Sequence, residues 1–218
     1  MRSLLRRILG RSGETQSPPL VSTSGKLRLR ALSESDHQSL ALWLSDPTSC
    51  RLAFGVDTDQ ETLKEMSKEY LDDLITDHRG VLWIEDSSTS SGLGFMRYKL
   101  YRKDRKCLAR IGIMIGDDSR RGEGLGREAL ATLLFYLFEN RGVDVVELDT
   151  ASFNHGAQRC FFHCGFEVVR EMEIIGLHNK WTEKRVIMRQ TLSRWKSCNS
   201  GSTDQPSPEA APEIQAPR

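Results

Sequence analysis

The readable pattern begins at Leu27. Leu27, Leu29 and Ala31 alternate with Lys26, Arg28 and Arg30, the two-residue period of a half-buried strand. Ser33 followed by Asp36 has the spacing of a capping box and predicts a helix that runs through Leu44. Leu63, Met66, Tyr70 and Leu74 recur at helical spacing and predict an amphipathic helix from Glu61 to Asp77. "GVLWIED", "LGFMRYKLY" and "CLARIGIMIG" read as three strands separated by the turns "SSTSSG" and "RKDRK". In the third, Ala109, Ile111, Ile113 and Ile115 share one face, and Arg110, Gly112 and Met114 the other. Leu130, Leu133, Leu134, Leu137 and Phe138 mark a helix ending near Gly142, and "VDVVELDT" is the next strand. "HGAQRCFFHC" is a short helix with Ala157, Cys160, Phe161 and Cys164 on one face, stopped by Gly165. "FEVVREMEII" and "KRVIMRQTL" predict a closing antiparallel pair around the turn "GLHNKW". The order is β-α-α-β-β-β-α-β-α-β-β, with no internal repeat.

The ends break this pattern. Arg2, Arg6, Arg7 and Arg11 precede the first acid, Glu14, and Leu4, Leu5, Ile8 and Leu9 fall on one helical face. That segment reads as a basic flexible extension over residues 1–25 or as an organelle-targeting peptide, and Arg6 and Arg7 interrupt what a secretory signal would need. Residues 199–218 are rich in Pro, Ser and Ala and poor in large apolar side chains, so a disordered tail is expected, with its boundary at residue 195. The folded unit is expected over residues 26–194.

Composition narrows the function classes. Of 218 residues, 31 are Lys or Arg and 30 are Asp or Glu, so charge points to no nucleic-acid partner. The longest aromatic-aliphatic run, Leu133 to Phe138, is far short of the ~20 residues a membrane span needs. Five irregularly spaced cysteines read as reduced thiols, hence a cytoplasmic compartment, or a mitochondrion or plastid if the N-terminal segment is a transit peptide. Cys160, His163 and Cys164 invite a metal reading, but no fourth ligand lies near, and no metal is expected.

"RRGEGLG", Arg120 to Gly126, lies between a strand and a long helix. Counted from Gly122, the third glycine of a dinucleotide fingerprint falls on Arg127, and the Gly-Lys-Ser/Thr of a P-loop is missing. A helix N-terminus offers unpaired N–H groups and partial positive charge, and glycines let an anion approach the backbone. The loop alone is compatible with a phosphate-bearing cofactor or a tight turn.

Arg121-Gly122-Glu123-Gly124-Leu125-Gly126 resembles the Arg/Gln-x-x-Gly-x-Gly/Ala motif of the GNAT superfamily of acetyltransferases. Asn154-His155-Gly156-Ala157, Phe161 and Gly165-Phe166, beginning 28 residues beyond Gly126, are similar to that family's Asn-x-x-Ala, aromatic, Gly-Phe signature. The resemblance covers residues 26–192, and the opening "KLRLRAL" with "DHQSLALWLSDP" is most similar to the Rim-type branch, which acetylates protein N-termini and includes enzymes for small amines. It implies an α/β fold whose mixed, mostly antiparallel sheet, flanked by helices, splays between its fourth and fifth strands. It also implies acetyl-coenzyme A as cosubstrate. The pyrophosphate would lie on the amides of Arg121, Gly122, Glu123, Gly124, Leu125 and Gly126. The pantetheine arm would lie along Ile113, Met114 and Ile115, with Asn154 a further contact besides its N-cap role. Gly112 and Gly116 would let that arm lie close, or are strand-end glycines.

The acceptor is expected to be an amine, on a peptide N-terminus or a small molecule. Transfer needs a neutral amine, a stabilised oxyanion and a proton for the departing thiolate. The family's usual acid is a tyrosine where this chain has Phe161, which leaves Tyr98 and Tyr101 as substitutes. Glu147 and Asp149 share a strand face and are the candidate bases; the alternative for both is a solvated strand face. Without a strong base, an α-amine of pKa ~8, about a fifth neutral near pH 7.4, suits the site better than a lysine at ~0.1%. The competing readings are a GNAT-like domain that binds acyl-coenzyme A or a protein without catalysis, and a nucleotide-binding regulator, weakened by the failed spacings above.

Overall fold

A computed structural model describes residues 19–54, 60–76, 80–175 and 182–200. The chain forms β1 (Leu20–Val21), β2 (Leu27–Ala31), α1 (His37–Ser45), α2 (Pro47–Phe54), α3 (Gln60–Thr76), β3 (Val81–Asp86), β4 (Gly92–Lys103) and β5 (Lys106–Ile115). There follow α4 (Leu125–Phe135), extended by a π turn at Tyr136–Asn140, then β6 (Val145–Ala151), α5 (His155–His163), β7 (Glu167–Ile175), β8 (Thr182–Thr191) and α6 (Leu192–Ser200). The strands make one sheet in the order β1-β2-β3-β4-β5-β6-β8-β7. Every pairing is antiparallel except β5 with β6.

The alternation read from the sequence is what divides the core. Ala109 and Ile111 turn to one face of the sheet, where Ala129, Leu130, Leu133 and Leu134 of α4, Val146 and Leu148 of β6, and Phe161 of α5 complete the larger apolar cluster. Met114, Phe95 and Trp83 turn to the other face and meet Leu40 and Leu44 of α1 and Leu74 of α3. Helix α1 is entered through a 3-10 turn at Glu34–Asp36. There the Asp36 carboxylate accepts from the Ser33 amide at 2.9 Å and its hydroxyl at 2.7 Å, and also holds Arg30.

Both expected domain boundaries fall inside ordered structure. β1 lies in the stretch expected to be a flexible extension, and pairs Leu20 with Leu29 and Val21 with Arg28. Helix α6 carries the chain past Arg194, and its Trp195 ring sits 5.4 Å from Phe138 and 6.2 Å from Phe135. β1 and α6 are too short or too polar to register as periodicities, and tertiary contact holds them. Helix α2 escaped for the same reason. The N-terminal basic segment up to residue 18, the turn at 176–181 and the tail from 201 lie outside the described residues.

Candidate active site

β5 and β6 pair only at Leu108–Val145, Ala109–Val146 and Arg110–Glu147, whereas β4 stays on β5 as far as Ile115 and β8 stays on β6 as far as Ala151. Beyond Arg110 the two parallel strands therefore diverge, at the place expected for the splay. The phase of the β4 ladder decides which backbone groups face the opening. Gly116 N–H donates to Leu93 C=O at 2.9 Å, so even-numbered β5 residues bond to β4 and odd-numbered ones turn their N–H and C=O toward β6. Ile113 and Ile115 face the divergence; Met114 does not, and its side chain is buried in the opposite core. In keeping with that phase, Ile115 C=O accepts from Arg121 Nε at 3.2 Å and Nη2 at 3.0 Å.

The glycine loop is built between that strand end and α4. Asp117 accepts from the Ser119 amide at 3.1 Å and turns the chain. Arg120 pairs with Glu123 at 2.7 Å, which braces the loop. Besides Ile115, Arg121 holds Asp118 at 2.6 Å and the buried Ser49 hydroxyl at 2.9 Å, which ties the loop to α2. Gly122 and Gly124 adopt φ of +89° and +82°, a region costly for other residues, and an added Cβ at either would meet nothing within 4 Å. Helix α4 makes its first backbone bond from Glu128 N–H to Gly124 C=O at 3.0 Å. Among the described residues, the N–H groups of Gly122, Gly124, Leu125, Gly126 and Arg127 have no acceptor. Five donors at a helix N-terminus, beside open space and diverging strands, form a cradle for an anion.

Gly116 serves a different purpose from the one the resemblance implied. A Cβ there would lie 2.0 Å from Cδ2 of Trp43, so the glycine makes room for an indole. Asn154 caps α5: its Oδ1 accepts from the Ala157 amide at 3.1 Å, while its Nδ2 donates to Leu52 C=O at 3.4 Å. Phe161 is 5% exposed and packs on Phe166, so the position matched to the family's tyrosine is a core position here. Cys160 and Cys164 are free thiols in hydrogen-bond contact with each other; that contact and burial push the Cys164 thiol up, and Cys164 Sγ donates to Arg127 C=O at 3.7 Å.

Glu147 and Asp149 do share a face of β6, but neither is a free base. Arg189 binds Glu147 through Nη2 at 2.6 Å and Nε at 3.0 Å, and Tyr101 donates to the same carboxylate at 3.2 Å. Asp149 lies between the guanidinium groups of Arg110 and Arg185. Burial and the neighbouring Glu147 push the Tyr101 phenol above its ordinary range, so it stays protonated. Tyr98 faces the other side of the sheet and packs edge-on against Tyr136. The arginine partners are 36 to 42 residues from their carboxylates in sequence, and only strand pairing brings them together. Ser49 was also missed; its signal was Asp46 three positions earlier, whose carboxylate accepts from the Ser49 amide at 2.7 Å.

Residues 26–167 match the family model described as "Acetyltransferase (GNAT) domain". No curated protein matches the chain in sequence. Among solved structures, a GNAT-family acetyltransferase from Bacillus anthracis is similar with a TM-score of 0.63 at 12% identity, over 81% of this chain and 99% of that one. A spermidine N-acetyltransferase from Vibrio cholerae, in complex with CoA and spermine, has a TM-score of 0.59 at 18% identity, over 78% and 98%. RimL, a ribosomal L7/L12 alpha-N-protein acetyltransferase, has a TM-score of 0.60 at 16% identity, over 84% and 98%.

Proposed function

Because the chain belongs to the GNAT acetyltransferase family, we propose that it is an acetyl-coenzyme-A-dependent N-acetyltransferase. In this reading it moves acetyl directly to a primary amine of a peptide N-terminus or a small molecule. The observation that carries the reading is the set of five unpaired amides at the start of α4, beside strands that part at Arg110. Those amides would hold the pyrophosphate, and the Ile113 backbone would bond the pantetheine arm between β5 and β6. Bound acetyl-coenzyme A supplies the activated thioester carbonyl. Arg121 acts by its side chain as a brace, fixing the loop to Ile115 and Ser49. Asn154 supports the site by capping α5.

The proton inventory favours an acceptor that is already partly neutral. Glu147 and Asp149 hold arginines, the Tyr101 hydroxyl is engaged in a hydrogen bond to Glu147, and Phe161 has no proton to give. An α-amine, ~2 pKa units below lysine, fits a site without a dedicated base. The five free cysteines fit a reducing compartment such as the cytoplasm. Among the described residues, no helix is long and apolar enough to cross a membrane.

The test pairs calorimetry of coenzyme A binding with thiol release over a panel of peptide and small-molecule amines. Gly124→Val should weaken coenzyme A binding at least tenfold. Gly124→Asn, which tolerates positive φ but still adds a side chain, should weaken it as well. Unchanged affinity in both folded variants would overturn the cofactor assignment. Affinity without thiol release from any amine would leave binding and remove transfer.

A further inference from the structure

On the face of the sheet that carries Glu147 and Asp149, α1 and α3 pack over β3, β4 and the end of β5, and α2 meets β6. Arg97 stands at the edge of that cover. It lies on β4 directly opposite Gly112, the exposed β5 residue next to Ile113, where the strands part. Its Nη1 bonds Asp73 of α3 at 2.5 Å, and its side chain is 12% exposed. The Tyr70 phenol stands against the guanidinium, while Nε and Nη2 are buried and, among the described residues, meet no acceptor at hydrogen-bond geometry. These two atoms form one edge of the guanidinium, with their N–H bonds side by side, the edge that a carboxylate engages through both oxygens. Folded proteins seldom leave such donors buried and unmet. Gly112, opposite Arg97, leaves open space on this face: a Cβ there would touch nothing within 4 Å.

The charge around Arg97 points the same way. In the three ladder rows that bracket the divergence, this face presents Arg97, Lys99, Arg110, Arg185 and Arg189. Among the described residues the carboxylates of these rows are Glu147, Asp149 and Glu167, with Asp73 reaching in from α3, and each already holds an arginine. A polycation would meet a surplus of like charge, whereas an anionic group would meet an unmet fork.

Resting on the acetyltransferase reading, we propose that Arg97 is the specificity residue of the acceptor site, and that the acceptor is a primary amine carrying a carboxylate. The carboxylate binds the Nε–Nη2 edge of Arg97 and directs the amine toward the divergence of β5 and β6. Two sources share this chemistry, an acidic side chain near a peptide N-terminus and the α-carboxylate of a free amino acid.

The experiment compares matched acceptors that differ only in that group: peptides with Asp or Glu at the second residue against Asn or Gln, free amino acids against their α-amides, and spermidine as the polycation. Thiol release gives kcat and KM. Calorimetry of the same compounds with the protein saturated in coenzyme A reads the preference without turnover. The acid is expected to exceed its amide by at least tenfold in kcat/KM, chiefly through KM, and to bind correspondingly tighter; whichever pair shows the gap identifies the source. Arg97→Met should erase the gap while coenzyme A affinity stays at the wild-type value, and Arg97→Lys, with charge but no fork, should restore part of it. Equal handling of acid and amide by the wild-type protein, in turnover and in binding, overturns the proposal, as does a gap that survives in Arg97→Met. The acetyltransferase reading fails by a different signature, loss of coenzyme A binding or of all thiol release.

Discussion

Replacing Gly116 by alanine tests what that glycine is for. The new Cβ would stand 2.0 Å from Cδ2, 2.4 Å from Cε2 and 2.5 Å from Cε3 of Trp43. Carbon atoms pack at about 3.5 Å or more, so the indole must withdraw by about 1.5 Å. It has little room to do so. Trp43 is stacked on Trp83, with centroids 4.9 Å apart and planes at 17°, and Trp83 is itself buried under Arg30 and against Gly92. Overpacking of this kind costs about 1–3 kcal/mol, and loss of the aromatic stack adds about 0.5–1.5 kcal/mol. For a domain of this size the sum corresponds to a fall in Tm of roughly 5–15 °C. Thermal melting of Gly116→Ala, Trp43→Leu and the double variant reads the effect. In the Trp43→Leu background the alanine should be nearly neutral, which gives a coupling of about 1.5 kcal/mol or more. A cofactor role for Gly116 makes the opposite forecast, with Tm unchanged and coenzyme A affinity reduced. An unchanged Tm, or the same loss with and without Trp43, would refute the packing argument.

Trp195→Ala removes the ring that docks α6 on Phe135 and Phe138, and should cost about 2–4 kcal/mol in chemical denaturation; no change would mean that α6 adds nothing to the fold. Phe161→Tyr buries a hydroxyl at a 5% exposed position and should lower stability by about 1–3 kcal/mol with no gain in turnover, whereas a faster and equally stable variant would place the ring edge at the reaction centre. Arg30→Met takes the cation from Asp36 and leaves Glu85 with Arg28 alone, a loss of about 3 kcal/mol at pH 7 by urea titration. Burial pushes Asp36 up, but Arg30 and Ser33 together hold it below the ordinary carboxylate range. Its contribution is therefore complete above the unfolded value near ~3.9 and fades as pH falls through the lower folded value. The variant should instead begin to change at a higher pH than the wild type, and identical acid profiles would refute the linkage.

Much of the fold was legible because it is written in short periods. The two-residue alternation at Leu27 and from Ala109 to Ile115, and the helical spacing of Leu130, Leu133 and Leu134, each commit one side of an element to burial. The glycine loop was legible for a related reason: positive φ at Gly122 and Gly124 and the start of α4 are local properties of a few consecutive residues. The register between elements decided the rest. β5 and β6 share only three rows, and that number sets where the strands part. Glu147 and Asp149 looked like free carboxylates along the chain, yet pairing with β5 and β8 sets Arg110, Arg185 and Arg189 against them. Gly116 faces an indole from α1, Phe161 faces the core, and Arg97, opposite Gly112, keeps two N–H groups unmet among the described residues, none of which a local pattern encodes. Side-chain periodicity reports which residues turn inward together, whereas charge partners, close approaches and open edges depend on contacts between segments tens of residues apart, which only the folded sheet brings within reach of one another.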